Sequence, residues 1–96
     1  MYVLVTYDIS TESNAGKRRL RKVAKACMNR GQRVQNSVFE CKLDEAQFVV
    51  LKNVLKNIID PDHDSLRFYR LSKNYKSQIE TMGVNLAYDI DGTLIL

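Results

Sequence analysis

The chemically richest pairing in this 96-residue chain is one carboxylate set beside a block of cations. Asp8 follows the apolar run that opens the chain, in the sequence Thr6-Tyr7-Asp8-Ile9-Ser10. Between Asn14 and Arg33 there are eight Lys or Arg residues and no Asp or Glu. That segment therefore carries +8 in a protein whose net charge is +4. Gln35–Leu66 partly offsets it, with six acids against three bases. A surface so polarised suits a polyanion, and the phosphodiester backbone is the commonest one.

Each half of the pairing has a plainer explanation. An aspartate at a strand end is most often a turn or cap residue, and one carboxylate is too few for Mg²⁺, which takes six oxygens and keeps several waters. A two-fold homodimer with its axis near this strand end changes the count, because two Asp8 carboxylates then face and repel each other. A divalent cation between them relieves that repulsion and can polarise a water or a phosphate oxygen. The cations could simply be a solvated helix face. Lys17, Arg21 and Lys25, and likewise Arg18 and Lys22, recur at four-residue spacing with no acid interleaved. Each such like-charge pair costs a helix a few tenths of a kcal/mol, about 0.2–0.5, unless an anion is present. Polyanion binding is the better account. No helix-turn-helix glycine turn, zinc finger or RNP1-type aromatic octamer accompanies the cluster, so contact with the backbone rather than the bases is expected.

The elements that must position these groups follow from periodicity. Tyr2–Ile9 is β-branched and aromatic, hence a strand, and both its faces are apolar (Tyr2, Leu4, Thr6 against Val3, Val5, Tyr7). Ser13 or Asn14 caps a helix expected to run to about Arg30, with Gly31 as a left-handed stop and Leu20, Val23, Ala24 and Cys27 as its buried stripe. Residues 33–35 and 38–42 form a hairpin turning at Asn36-Ser37. Asp44-Glu45-Ala46-Gln47 reads as a capping box opening a second helix, with Leu51, Val54, Leu55 and Ile58 as its buried stripe and Pro61 as its end. Ser65–Leu71 is a fourth strand, and Gln78–Val84 is expected as a fifth. The fold class is α+β: ferredoxin-like βαββαβ with an extra C-terminal strand. Residues 1–84 form one domain, and 85–96 are expected as a tail packed on a dimer. Because both helices cover one sheet face, the first strand's second apolar face predicts a homodimer, sheet against sheet.

Several function classes drop out. No apolar run is long enough to span a membrane, and the protein is expected in the cytoplasm. Cys27 and Cys41 sit among apolar residues outside any C-x-x-C pair, so they read as buried thiols of a reducing compartment. His63 is the only histidine, which leaves no Ser-His or Cys-His dyad near Asp8. It lies in Asp60-Pro61-Asp62-His63-Asp64, where four potential ligands in five residues read as an exposed polar loop. Leu86-Ala87-Tyr88-Asp89-Ile90-Asp91-Gly92-Thr93-Leu94 resembles the opening motif of haloacid-dehalogenase-type phosphatases. Those enzymes place it at the start of a doubly wound domain, and only five residues follow Asp91 here, so the match is coincidental.

Four segments together resemble the CRISPR-associated adaptation protein family. They are Tyr7-Asp8-Ile9, the basic helix Lys17–Lys25, Arg33-Val34-Gln35-Asn36-Ser37-Val38-Phe39-Glu40, and Asp64-Ser65-Leu66-Arg67-Phe68-Tyr69-Arg70-Leu71. The likeness is to the smaller of the two universal spacer-acquisition proteins, in order over residues 1 to about 84. It implies a ferredoxin-like homodimer whose last strand crosses onto the partner's sheet, with Gln78–Val84 in that role. It also implies a Mg²⁺- or Mn²⁺-dependent endonuclease on double-stranded DNA or single-stranded RNA, with Asp8 as catalytic and metal-binding residue. Lys17, Arg18, Arg21, Lys22, Lys25 and Arg33 would bind nucleic acid, with Tyr7 and Phe39 in support. The implied alternative is a non-catalytic bridge between integrase dimers, formed by the larger adaptation protein, in which Asp8 is structural. A more distant option is an RNA-processing, toxin-like nuclease of the same fold.

Overall fold

The computed structural model describes residues 1–83. The order is β1 (Tyr2–Asp8), α1 (Asn14–Met28), β2 (Gly31–Gln35), β3 (Val38–Lys42), α2 (Glu45–Ile58) and β4 (Ser65–Leu71), followed by a 3-10 turn at Tyr75–Gln78. The sheet order is β2-β3-β1-β4, with every neighbouring pair antiparallel. This is the expected α+β, ferredoxin-like arrangement, with β1 in the interior of the sheet.

Alternation along β1 divides the molecule into two sides. Val3, Val5 and Tyr7 are buried and join Phe39 and Cys41 of β3, Val23 and Cys27 of α1, and Phe48, Leu51 and Leu55 of α2 in one core. Tyr2, Leu4 and Thr6 point to the other side and stay half-buried. Both helices thus cover one face of the sheet. Cys27 and Cys41 are free, buried thiols.

The helix caps match the sequence. Ser13 Oγ accepts from the Gly16 amide at 3.0 Å and opens α1. At α2 the Asp44 carboxylate accepts from Gln47 N at 2.7 Å, while Gln47 Oε1 accepts from Asp44 N at 2.9 Å. The buried stripe of α1 includes Val23, Ala24 and Cys27, with Leu20 packed at the margin of the core.

Three expectations need correction. α1 stops at Met28, and Gly31 is the first residue of β2 with no positive φ. Its glycine character is required by strand approach: a Cβ there would strike the Glu40 carbonyl oxygen, and would lie 2.8 Å from Cys41 Sγ. In α2 the buried face is Phe48, Leu51 and Leu55, while Val54 is exposed. Eight apolar residues crowd α2, so their spacing fits more than one phase, and the bulkiest, Phe48, takes the core side against Phe68 of β4 at 5.6 Å between ring centroids. Gln78 closes the 3-10 turn instead of starting a strand, and residues 79–83 pair with no strand of the same chain among the described residues. Tyr75 pulls the turn onto the sheet's helix-free face, where its ring meets Tyr2 at 4.8 Å and its hydroxyl donates to Glu40 at 3.3 Å. Val84, the 85–96 tail and the phosphatase-like motif lie outside the described residues.

Candidate nucleic-acid and metal site

Asp8 is the last residue of β1, and its Cα partner is Ser65, the first residue of β4. By strand alternation it lies on the helix-free side with Leu4 and Thr6. It is exposed, and its carboxylate has no hydrogen bond or ion pair among the described residues. Tyr7, one residue earlier, points the opposite way. It is buried against Phe39 with ring centroids 6.2 Å apart, and its hydroxyl donates to the Asn36 carbonyl at 3.3 Å. Burial pushes the Tyr7 phenol pKa up, while the charge of nearby Arg33 pulls the other way. The Arg33 guanidinium lies 5.2 Å from the centre of the Phe39 ring. Arg33, Phe39 and Tyr7 therefore form one stack on the helix side of the sheet, the side opposite Asp8.

Of the six cations of α1, Arg19 is half-buried, while Lys17, Arg18, Arg21, Lys22 and Lys25 are exposed. At about 100° per residue they occupy roughly 140° of the helix circumference, turned away from the buried stripe. α1 begins at the Asp8 end of the sheet: its first turn packs so closely on the following loop that a Cβ on Gly16 would strike the Ser10 carbonyl. Lys17 and Arg18 are thus nearest the Asp8 end, and Lys25 lies about 12 Å further along the helix. The structure brings Arg33 and the α1 cluster onto one side, and places Asp8 round the strand end on the other.

The loop carrying Asp8 into α1 is held by a residue that the sequence reading misplaced. Asp64 is buried, with its side chain 0% exposed, so the segment 60–64 is not simply an exposed loop. Its carboxylate accepts from Arg19 Nε at 2.7 Å, Arg19 Nη2 at 3.4 Å, Ser10 N at 3.0 Å and Asp60 N at 2.9 Å. Burial alone would raise the Asp64 pKa, and these hydrogen bonds overcome it and hold the carboxyl below its ordinary value. One acid therefore ties the Asp8–Ser10 segment, α1 and the end of α2 together. The signal was present in the helical phase of α1: Arg19 falls outside the arc of the other cations, beside the buried stripe. His63 does sit in solvent, with Nδ1 2.9 Å from Asp60 Oδ2.

A single copy is a poor divalent-cation site. Among the described residues no three His, Cys, Asp or Glu side chains converge on a point, and Asp8 offers one carboxylate. Oxygen donors of this kind suit Mg²⁺ or Mn²⁺ only when more of them are gathered. No helix among the described residues is long and apolar enough to cross a membrane.

The molecule is a small ferredoxin-like domain with an exposed strand-end carboxylate on one side of its sheet and a cationic helix on the other. A family profile described as CRISPR associated protein Cas2 matches residues 1–79, and the chain belongs to that family. It is 57% identical over 96 residues, covering all of both chains, to a Moorella thermoacetica protein named CRISPR-associated endoribonuclease Cas2 1. It is 55% identical over 95 residues, 99% of each chain, to a Halalkalibacterium halodurans protein named CRISPR-associated endonuclease Cas2. The crystal structure of Streptococcus pyogenes Cas2 superposes with a TM-score of 0.80 at 58% identity, covering 86% of this chain and all of that one.

Proposed function

We propose that the protein serves CRISPR adaptation as a cytoplasmic homodimer joined across its helix-free sheet faces, binding nucleic acid and hydrolysing phosphodiester bonds in a Mg²⁺- or Mn²⁺-dependent way. The observation carrying this reading is the position of Asp8. It is exposed and unpaired among the described residues, on the face where half-buried Tyr2, Leu4 and Thr6 call for a second cover. In such a dimer the Asp8 carboxylates of two copies form a four-oxygen donor set, which answers the shortage within one chain. A bound cation there would supply Lewis-acid polarisation of a phosphate oxygen and a more acidic water. The chain's own residues do the rest: Lys17, Arg18, Arg21, Lys22, Lys25 and Arg33 hold the phosphates, and the Tyr7–Phe39 stack fixes the strand end from beneath. The relatives' names, endoribonuclease and endonuclease, support hydrolysis of nucleic acid. Double-stranded DNA and single-stranded RNA both fit a surface that contacts only phosphates.

A second reading has its own observation in favour. The cationic arc lies on the helix side and Asp8 on the opposite face, so a duplex can be gripped without its phosphates reaching Asp8. That suits a bridge that holds DNA between copies of an integrase. Substituting Asp8→Ala separates the two. Under the first reading, metal-dependent cleavage disappears while duplex affinity and its salt dependence are kept. Spacer acquisition that persists in Asp8→Ala and fails in Arg18→Glu/Arg21→Glu establishes the bridge and removes the need for hydrolysis.

A further inference from the structure

On the side of the molecule away from the sheet, α2 presents a solvent face with no charge along its length. Ala46, Val49, Val50, Asn53, Val54 and Asn57 follow the three-and-four spacing of a helix stripe, and all are exposed. Val49, Val50 and Val54 keep 50%, 49% and 42% of their surface in water, in a chain with 27% charged residues. The edge of this stripe dips into a groove of about 200 Å³ between α1 and α2, lined by Ala26, Asn29, Arg30, Val50, Leu51 and Val54.

The charges bordering this surface share one sign. Arg30 lines the groove on the α1 side, and Lys52 and Lys56 flank the stripe on the far side of α2. Lys52 is held 4.4 Å over the Phe48 ring, whereas Arg30 and Lys56 have no carboxylate partner among the described residues. The one acid of α2, Glu45, is at the opposite end and engaged by Arg70 at 2.6 Å. Such a border selects the occupant. A second copy of the same groove would set cations against cations, which is costly at an interface. A nucleic acid would find cations only at the margins and, along the stripe itself, valine methyls that offer its phosphates no hydrogen-bond donor. An apolar stripe edged by acids meets both the valines and the unpaired cations.

We propose that the groove between α1 and α2 seats an amphipathic helix of a protein partner, valine-facing along its apolar stripe and carrying Glu or Asp on the flank that meets Arg30. This surface is separate from the Asp8 face and does not depend on its chemistry. The probe is a synthetic end-capped peptide helix with leucines at three-and-four spacing and glutamates on both flanks, beside a twin with lysines in place of the glutamates. Each is titrated into the isotope-labelled full-length protein, and backbone amide shifts are followed. The glutamate peptide should move the amides of Ala26, Arg30, Val50 and Val54 and bind at least tenfold more tightly than its twin. Val54→Glu should weaken it at least tenfold, and Arg30→Glu should reverse the preference between the peptides, which a merely unfolded variant would not do. Equal binding of both peptides, shifts confined to other residues, or movement of these four amides by a short DNA duplex would each overturn the assignment. A change of sedimentation from dimer to monomer in Val54→Glu would do the same, by showing that a second copy occupies the groove.

Discussion

Replacing Asp64 with alanine removes the acceptor for four hydrogen bonds and leaves three structural elements without their common tie. Two of the orphaned donors are the backbone amides of Ser10 and Asp60, and the third partner is the Arg19 guanidinium, 19% exposed. Breaking a buried ion pair by deleting one partner costs about 3–5 kcal/mol, and each unpaired buried amide about 1–3. Arg19 can swing partly into water, so the lower part of the range applies, about 3 kcal/mol for Asp64→Ala. For a chain of this size that corresponds to a fall in Tm of roughly 12–24 °C. The pH dependence is equally specific. The Asp64 pKa is lowered in the folded protein, with burial opposing and the Arg19, Asp60 and Ser10 hydrogen bonds prevailing. The native state therefore holds fewer protons than the unfolded one. The stabilisation is complete above the unfolded carboxylate value of about 3.9 and is lost as pH falls through the lower folded value. Urea denaturation of wild type and Asp64→Ala at one fixed protein concentration should show the full gap at pH 7 and a narrowing gap below about pH 4. Asp60 has a lowered pKa too, principally through the His63 hydrogen bond, but it is present in both proteins and largely cancels in the difference. The double variant Asp64→Leu/Arg19→Leu should lose less than the sum of its singles. A gap below about 1 kcal/mol at pH 7, or one that widens in acid, would mean that the Asp64 carboxylate does not brace these three elements.

Gly31→Ala must push a methyl group into the Glu40 carbonyl and the Cys41 side chain, and is expected to cost about 1–3 kcal/mol in urea denaturation, as overpacking does. Leu55→Ala empties a fully buried position between α2 and the sheet and should cost about 2–5 kcal/mol by the same assay. Arg18→Glu/Arg21→Glu should lower the slope of log affinity for duplex DNA against log salt by about 1.8, measured by fluorescence anisotropy. Burial pushes the Cys27 thiol to about 12 and the Cys41 thiol to about 11. At pH 8 both should react with a thiol reagent only on the timescale of unfolding, and rapid labelling of the native protein would contradict their place in the core.

Local signals were legible in the sequence and long-range ones were not. The capping box Asp44–Gln47, the Ser13 cap, the Asn36-Ser37 hairpin and the Ser65–Leu71 strand each depend on residues within a few positions of one another, and each is found where the pattern placed it. The phase of α2 was ambiguous because Phe48, Val49, Val50 and Leu51 are consecutive apolar residues. Periodicity cannot decide which of them meets the sheet, and packing of Phe48 on Phe68 does. Gly31 looked like a helix stop because glycine near a helix end usually is one. The competing cause, close approach of β2 to β3, involves residues about ten positions away. Asp64 was hidden by the polar company of Asp60, Asp62 and His63, and its partner Arg19 is 45 residues earlier in the chain. At the candidate site, the exposure of Asp8 and of the α1 cations followed from residue type. Their separation onto two sides of the sheet came only from strand parity in three dimensions.

That separation constrains how the two sides can cooperate. A phosphate held by Lys25 lies at least 12 Å along α1 from the Asp8 end, and the sheet stands between the Arg33–Phe39–Tyr7 stack and the Asp8 carboxylate. One copy cannot present a single phosphodiester to both. If two copies meet across their helix-free faces, the cationic arcs become the outer flanks of the assembly and the Asp8 pair its midline. A strand of nucleic acid can then reach the midline only at the sheet end, past Lys17 and Arg18. Those two residues are therefore the ones whose loss should weaken cleavage more than it weakens binding, whereas loss of Lys22 or Lys25 should weaken both in proportion. Cleavage and affinity falling together for all four would mean that phosphates approach the midline by another route, and that the loop braced by Asp64 is not the entrance.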